Sequence, residues 1–201
     1  MARRSDHSHR EIAKLAIRKG LEIIKQSGFA TFSARKVAQG IGYTVGTLYN
    51  VFGSYDDMML HINAATLDEW YEAMEAGLQQ SNAATPVHAL ALAYIDYSQR
   101  HHHQWHTLFE YRFAAERDIP EWYRERTLRF FHRVERELLP VVGNDATQAR
   151  QAAHVLWAGI HGICVLSLSG KLAQMESGSA EMLALSLVDN YLKGLTASDS
   201  Q

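Results

Sequence analysis

One cysteine, Cys164, stands in a chain of 201 residues, so no internal disulfide can staple the fold. It lies in an apolar run, the setting of a buried, inert thiol rather than a reactive one. Only three prolines occur, which leaves room for long uninterrupted helices. Neither sign of charge is in clear excess: 20 Lys and Arg face 22 Asp and Glu, giving −2 and no global signature of nucleic-acid binding. No apolar segment follows the charges of the first ten residues, so no signal peptide is evident. Ala152 to Gly170 is the longest uncharged run, but its two His and three Gly make it too polar and too short for a membrane span. A reduced, cytoplasmic compartment follows from these shortages. No phosphate loop, nucleophile elbow or complete metal-ligand set occurs, which leaves a helical enzyme without support.

What the chain does have is a local charge split. Residues 1–60 hold nine Lys and Arg against five Asp and Glu, a balance of +4, while the remainder holds eleven against seventeen, −6. A basic first third, with Arg3 and Arg4 placed like a basic arm, suits an anionic partner bound at that end. Within it, residues 33–57 alternate short apolar patterns with glycine. Val37, Ala38 and Ile41 share one face of a first short helix, and Leu48 and Phe52 one face of a second. Gly40 and Gly42 lie between, where a reversing chain needs φ > 0. Two short helices cannot bury a stripe alone, so they pack on a third, predicted over His9–Ser27, with Gly20 where another helix approaches. Arg35, Lys36, Gln39, Thr44, Val45, Thr47, Tyr49 and Asn50 remain outward. Cations, hydroxyls and an amide are the groups that meet phosphates and base edges. The pattern predicts a helix-turn-helix that reads double-stranded DNA.

Behind this module the chain predicts only helices: about 55–80, 86–100, 101–116, 120–139, 152–168 and 182–195, with no convincing strand. The fold class is all-α, of about nine helices. The domains are residues 1–54, which bind DNA, and 55–201, which bind ligand and dimerise.

The motif residues also carry a resemblance. Residues 9–60 resemble the DNA-binding domain of the TetR family of transcriptional regulators, through Gly28-Phe29, Ser33 to Ala38, Ile41 to Tyr49, Phe52-Gly53-Ser54 and Asp56-Asp57. The string G-T-L-Y-x-x-F-G-S is the most specific part. Leu156-Trp157-Ala158-Gly159-Ile160-His161-Gly162 resembles the Trp-His-Gly pattern of one C-terminal subfamily. The resemblance implies a repressor that a small ligand releases from a pseudo-palindromic operator. It puts Arg35 on a phosphate or base, and Val45, Gly46, Thr47, Tyr49 and Asn50 in the major groove. Tyr55 stands where the family usually has a Lys on phosphate, which implies a salt dependence weaker by about one contact. That departure is also the one feature favouring a ligand carrier with an inactive DNA module.

Three further features bear on partners. Trp70, Tyr94, Tyr97, Trp105, Phe109, Phe113, Trp122 and Phe130 pack the core or line a cavity for a hydrophobic or aromatic effector, and His161 is either structural or a contact to ligand or partner. His102 and His106 have the i, i+4 spacing of metal ligands, but nothing completes a set, so no metal or other cofactor is assigned. The last two helices are apolar nearly all round, which makes them central in the monomer or shared with a second copy. The two-fold symmetry of such DNA readers favours a homodimer through Leu156, Ile160, Leu185, Val188 and Leu192.

Overall fold

A computed structural model describes residues 7–113 and 118–198. Among them are ten α-helices, one short 3-10 turn and no strand, as the all-α expectation requires. The helices are α1 His9–Ser27, α2 Ala34–Gly40, α3 Val45–Phe52, α4 Tyr55–Gln80, α5 Pro86–Arg100, α6 His102–Glu110, α7 Glu121–Leu138, α8 Ala146–Leu168, α9 Lys171–Gln174 and α10 Ala180–Ser198. The 3-10 turn is Phe29–Thr31, between α1 and α2. Arg3 and Arg4 lie outside the described residues.

Local chemistry sets most of these bounds. Ser8 and Glu11 close a capping box at the start of α1, and the Ser8 backbone N–H holds the Glu11 carboxyl below its usual pKa. Ser33, Thr44, Thr85 and Asp145 accept backbone N–H groups at the starts of α2, α3, α5 and α8. Pro86 occupies the first position of α5, where its missing N–H costs nothing. Two differences from expectation are plain. The helix predicted over 101–116 ends at Glu110, and α8 begins at Ala146, because Asp145 supplies a cap to a first turn with no apolar pattern.

The chain divides into two compact units, Met1–Glu69 with His103–Tyr123, and Trp70–His102 with Arg124–Gln201. The boundaries therefore differ from the 54/55 division drawn from sequence: α4 contributes to both units, and a later segment returns to the first.

In the first unit Ile12, Ala16 and Ile24 of α1 bury against Val37 and Ala38 of α2, Leu48 of α3, and Met58 and Ile62 of α4. Gly20 admits this packing, since a Cβ there would lie 2.5 Å from Ile62 Cδ1. In the second unit α5, α8 and α10 pack on one another. His88 Nε2 and Asp189 Oδ1 meet at 3.0 Å, and Gln99 Nε2 donates to Glu181 Oε1 at 3.0 Å, both tying α5 to α10. Cys164 is buried beside Ser98, and burial pushes its thiol up to about 11, as an inert cysteine requires.

Leu156, Ile160 and Val188 are buried within the protomer, at 2%, 7% and 0% exposure. The exposed side of α8 carries Val155, Trp157, Val165 and Leu166 instead. Leu185 and Leu192 are half-buried on α10. Arg133 of α7 is buried and paired with Glu75 at 2.7 Å and with Glu137. Those two carboxylates outweigh the burial that would otherwise lower the guanidinium pKa. By length and composition alone α8 is long and apolar enough to cross a membrane, a test that the core helix of a globular protein also passes. One face of it, Ala149, Ala152, Ala153, Leu156, Ile160 and Cys164, is buried inside the protein.

Candidate nucleic-acid interface

The turn between α2 and α3 is closed by backbone bonds from Gly42 N–H to Gln39 O at 3.2 Å and from Tyr43 N–H to Ala38 O at 2.9 Å. Gly42 has φ 76°, a conformation that a Cβ disfavours, so glycine is required there. Gly40 instead ends α2 against the Lys19 side chain, without a positive φ. Thr44 then starts α3: its Oγ1 accepts the Thr47 N–H at 3.2 Å and meets the Thr47 hydroxyl at 3.0 Å. Leu48, fully buried, anchors α3 to the core.

With Leu48 inward, the opposite side of α3 faces solvent. Thr44, Gly46, Tyr49 and Asn50 are exposed, Tyr49 at 40%. Val45 is half-buried and packs against the core, and Thr47 is half-buried, so these two present edges rather than whole side chains. On α2, Arg35 and Lys36 are both exposed but differ. Lys36 Nζ donates to the Thr31 carbonyl at 2.6 Å, which fastens it to the preceding turn. Arg35 makes no hydrogen bond or ion pair among the described residues. A hydroxyl, amide and cation surface about two short helices is what a major groove and its flanking phosphates accommodate.

Tyr55 differs most from its sequence reading. It is half-buried, with its ring 6.2 Å from that of Phe32 and 6.2 Å from that of Tyr111. Burial, then the neighbouring Tyr49 phenol and Asp56, raise its pKa. The side chain acts in the core as much as at the surface. Sequence reasoning also passed over His7, whose Nδ1 meets the Tyr43 hydroxyl at 2.8 Å at the edge of this face. Only the place of Tyr43 inside the motif hinted at that pair.

The aromatic set expected to line one ligand cavity falls into two groups. Trp105, Phe109, Phe113 and Trp122 belong to the first unit; Trp105 is buried, Phe109 is exposed, and Trp122 stacks on His61 at 4.8 Å. Trp70, Tyr94, Tyr97 and His161 come together in the second. Trp70 stacks on Tyr97 at 5.0 Å and meets Tyr94 edge-on at 4.9 Å and Phe130 at 4.9 Å. The Tyr94 hydroxyl and His161 Nδ1 lie 2.9 Å apart, and burial lowers the His161 pKa. His161 also lies 5.5 Å from Trp157, ring to ring. Trp70 Nε1 is buried without a hydrogen-bond partner among the described residues. His106 pairs with Glu110 at 3.1 Å, and no group of three or more potential metal ligands occurs among the described residues.

Comparison with known proteins gives these features a context. Residues 87–191 match a family model described as tetracyclin repressor-like, C-terminal domain. No curated protein matches the chain by sequence. Among solved structures, a Rhodococcus sp. RHA1 protein of unknown function aligns with TM-score 0.72 and 16% identity, over 96% of this chain and 98% of its own. A TetR transcriptional regulator from the same organism aligns with TM-score 0.59 and 15% identity, over 94% and 97%. The multidrug binding protein EbrR, solved with imidazole, aligns with TM-score 0.59 and 20% identity, over 92% and 96%. At these identities the likeness is one of fold.

Proposed function

The chain belongs to the tetracyclin repressor-like family, and from that premise we propose that it is a sequence-specific DNA-binding regulator, a repressor that a small ligand releases from its operator. One observation carries the reading: Arg35, Thr44, Tyr49 and Asn50 stand exposed around a recognition helix whose Leu48 is fully buried. Asn50 suits an adenine edge, Thr44 and Tyr49 suit phosphates, and Arg35 suits either a guanine or a phosphate. The Trp157, His161 and Gly162 pattern supports a place in the Trp-His-Gly subfamily.

A two-fold operator calls for two recognition helices about one helical turn of DNA apart, hence a homodimer. Val155, Trp157, Val165 and Leu166 support α8 as the shared face, because they are 38–44% exposed in a run without charge. Cytoplasmic residence follows from this role. Trp70, Tyr94, Tyr97 and His161 are the proposed contacts for a hydrophobic or aromatic effector, and the Trp70 N–H favours one that carries a hydrogen-bond acceptor. Such a ligand releases DNA only if it binds more tightly to the DNA-free conformation. Because α4 runs through both units, it is the proposed route of coupling.

Selection of duplexes from a randomised library by the unaltered protein tests the assignment. Enrichment of a pseudo-palindromic site that Arg35→Ala no longer retains is the supporting result. Failure to enrich any site counts against DNA reading.

A further inference from the structure

We propose that Tyr111 is a positioning residue for the DNA reader: it latches the first turn of α4 and so fixes the corner at which the recognition helix ends. This rests on the reading of α3 as the recognition helix. Tyr111 follows α6 in a segment that lies far from the helix-turn-helix in sequence yet belongs to the same compact unit.

Its hydroxyl donates to Asp56 Oδ1. Its ring meets Phe29 edge-on at 5.3 Å and Tyr55 at 6.2 Å. Phe29 opens the 3-10 turn between α1 and α2, while Tyr55 and Asp56 are the first two residues of α4. One side chain therefore touches both connections that set the angle of the reader helices. The corner itself is short. Gly53 N–H closes α3 on Tyr49 O at 2.8 Å, and Ser54 Oγ takes the Asp57 N–H at 3.0 Å to open α4. Only Gly53 and Ser54 separate Phe52 from Tyr55, so a displacement of Tyr55 is passed directly to α3. Readout of base edges tolerates displacements of only about 0.5 Å or 10–20°.

The segment bearing Tyr111 is itself fastened to the same unit. Gln104 Nε2 donates to Glu69 Oε2 at 3.0 Å, and that carboxylate also holds Lys25 of α1 at 2.9 Å. The His103 ring lies so close to Gly28 that a Cβ there would fall 2.6 Å from its Nδ1. Tyr111 is thus the far end of an anchored strut, and the Asp56 hydrogen bond is its point of contact with the corner.

The test uses the full chain and a duplex that the unaltered protein enriches from a randomised library. Tyr111→Phe and Asp56→Ala are each expected to weaken binding about tenfold, the scale of a lost hydrogen bond to a carboxylate, and the double variant no further. In the free protein, Tyr111→Phe is expected to speed amide exchange over residues 51–57 while the α1 core amides around Ile24 keep their protection. A merely structural role would instead lower the melting temperature and speed exchange throughout the unit. Unchanged affinity and unchanged exchange in Tyr111→Phe overturn the latch, as do additive effects in the double variant. If the unaltered chain enriches no duplex, the DNA reading fails and the exchange measurement alone decides the latch.

Discussion

Arg35 is the residue whose removal separates the needs of folding from those of DNA reading. It sits at the second position of α2, exposed and without a partner among the described residues. A cation in the first turn of a helix opposes the helix dipole, at a cost of about 0.3–1 kcal/mol at low ionic strength. Arg35→Ala is therefore expected to leave the unfolding free energy unchanged or raise it by a few tenths of a kcal/mol. Its effect on DNA has the opposite sign. A dimer presents two Arg35 side chains, and each neutralised phosphate contributes about 0.9 to the slope of log affinity against log salt concentration. Losing both lowers the slope by about 1.8. Raising salt from about 50 to about 200 mM then costs the parent about twelvefold more affinity than the variant. Fluorescence anisotropy with the enriched duplex at four or more salt concentrations measures the slope, and urea denaturation measures the stability. Lys36→Ala is the internal contrast, because the Lys36 ammonium is already held by the Thr31 carbonyl and its loss should change the slope less. An Arg35→Ala slope equal to the parent's, with affinity within twofold, would refute the reasoning. So would a loss of stability, which would make Arg35 a structural residue.

The remaining predictions follow from burial. Val165→Glu with Leu166→Glu should convert a dimer to monomer in analytical ultracentrifugation and remove the concentration dependence of the melting temperature. Leu156→Ala should instead destabilise the protomer by about 2–5 kcal/mol in urea, since it hollows the core. Gly20→Val should cost about 1–3 kcal/mol through overpacking against Ile62, whereas Gly40→Ala meets only the flexible Lys19 side chain and should be nearly neutral. Burial lowers the folded-state pKa of His161 below the unfolded value of about 6.5, so the unfolded chain takes up the proton first. The stability that neutral His161 preserves is complete above about pH 6.5 and falls as pH drops towards the lowered value. The melting temperature of the parent should therefore decline more than that of His161→Gln between about pH 7.5 and 5.5, and parallel declines would sink this assignment.

What could be read from sequence divides along a physical line. Signals confined to a few neighbouring residues were legible: Gly42 as the positive-φ turn, Gly20 as the point of close approach, and the bounds of α1 and α4. Each is decided by chemistry within one turn or by one missing Cβ. Facts that depend on which of several similar faces meets which neighbour were not legible. On α8 nearly every position is apolar, so no periodicity separates Leu156 and Ile160, which bury against the protein's own helices, from Val155 and Val165, which do not. The eight aromatics share composition but not location, because the chain leaves the first unit at Glu69, returns at His103 and leaves again after Tyr123. Arg133 shows the converse: a charge on an amphipathic helix reads as solvated unless its partners are known, and Glu75 lies on another helix.

Tyr55 joins both classes and shows why they must be read together. By motif position it belongs to the DNA surface, at the first turn of α4. By packing it belongs to the ring cluster with Phe32 and Tyr111. A lysine at that position would add a phosphate contact and lose the ring on which the Tyr111 latch closes. Tyr55→Lys is therefore expected to steepen the salt dependence by about 0.9 per protomer and yet to weaken binding to the enriched duplex relative to unrelated duplexes. A steeper slope with undiminished discrimination would show that the ring cluster does not aim the reader. A slope unchanged from the parent would show that the side chain at this position does not reach a phosphate.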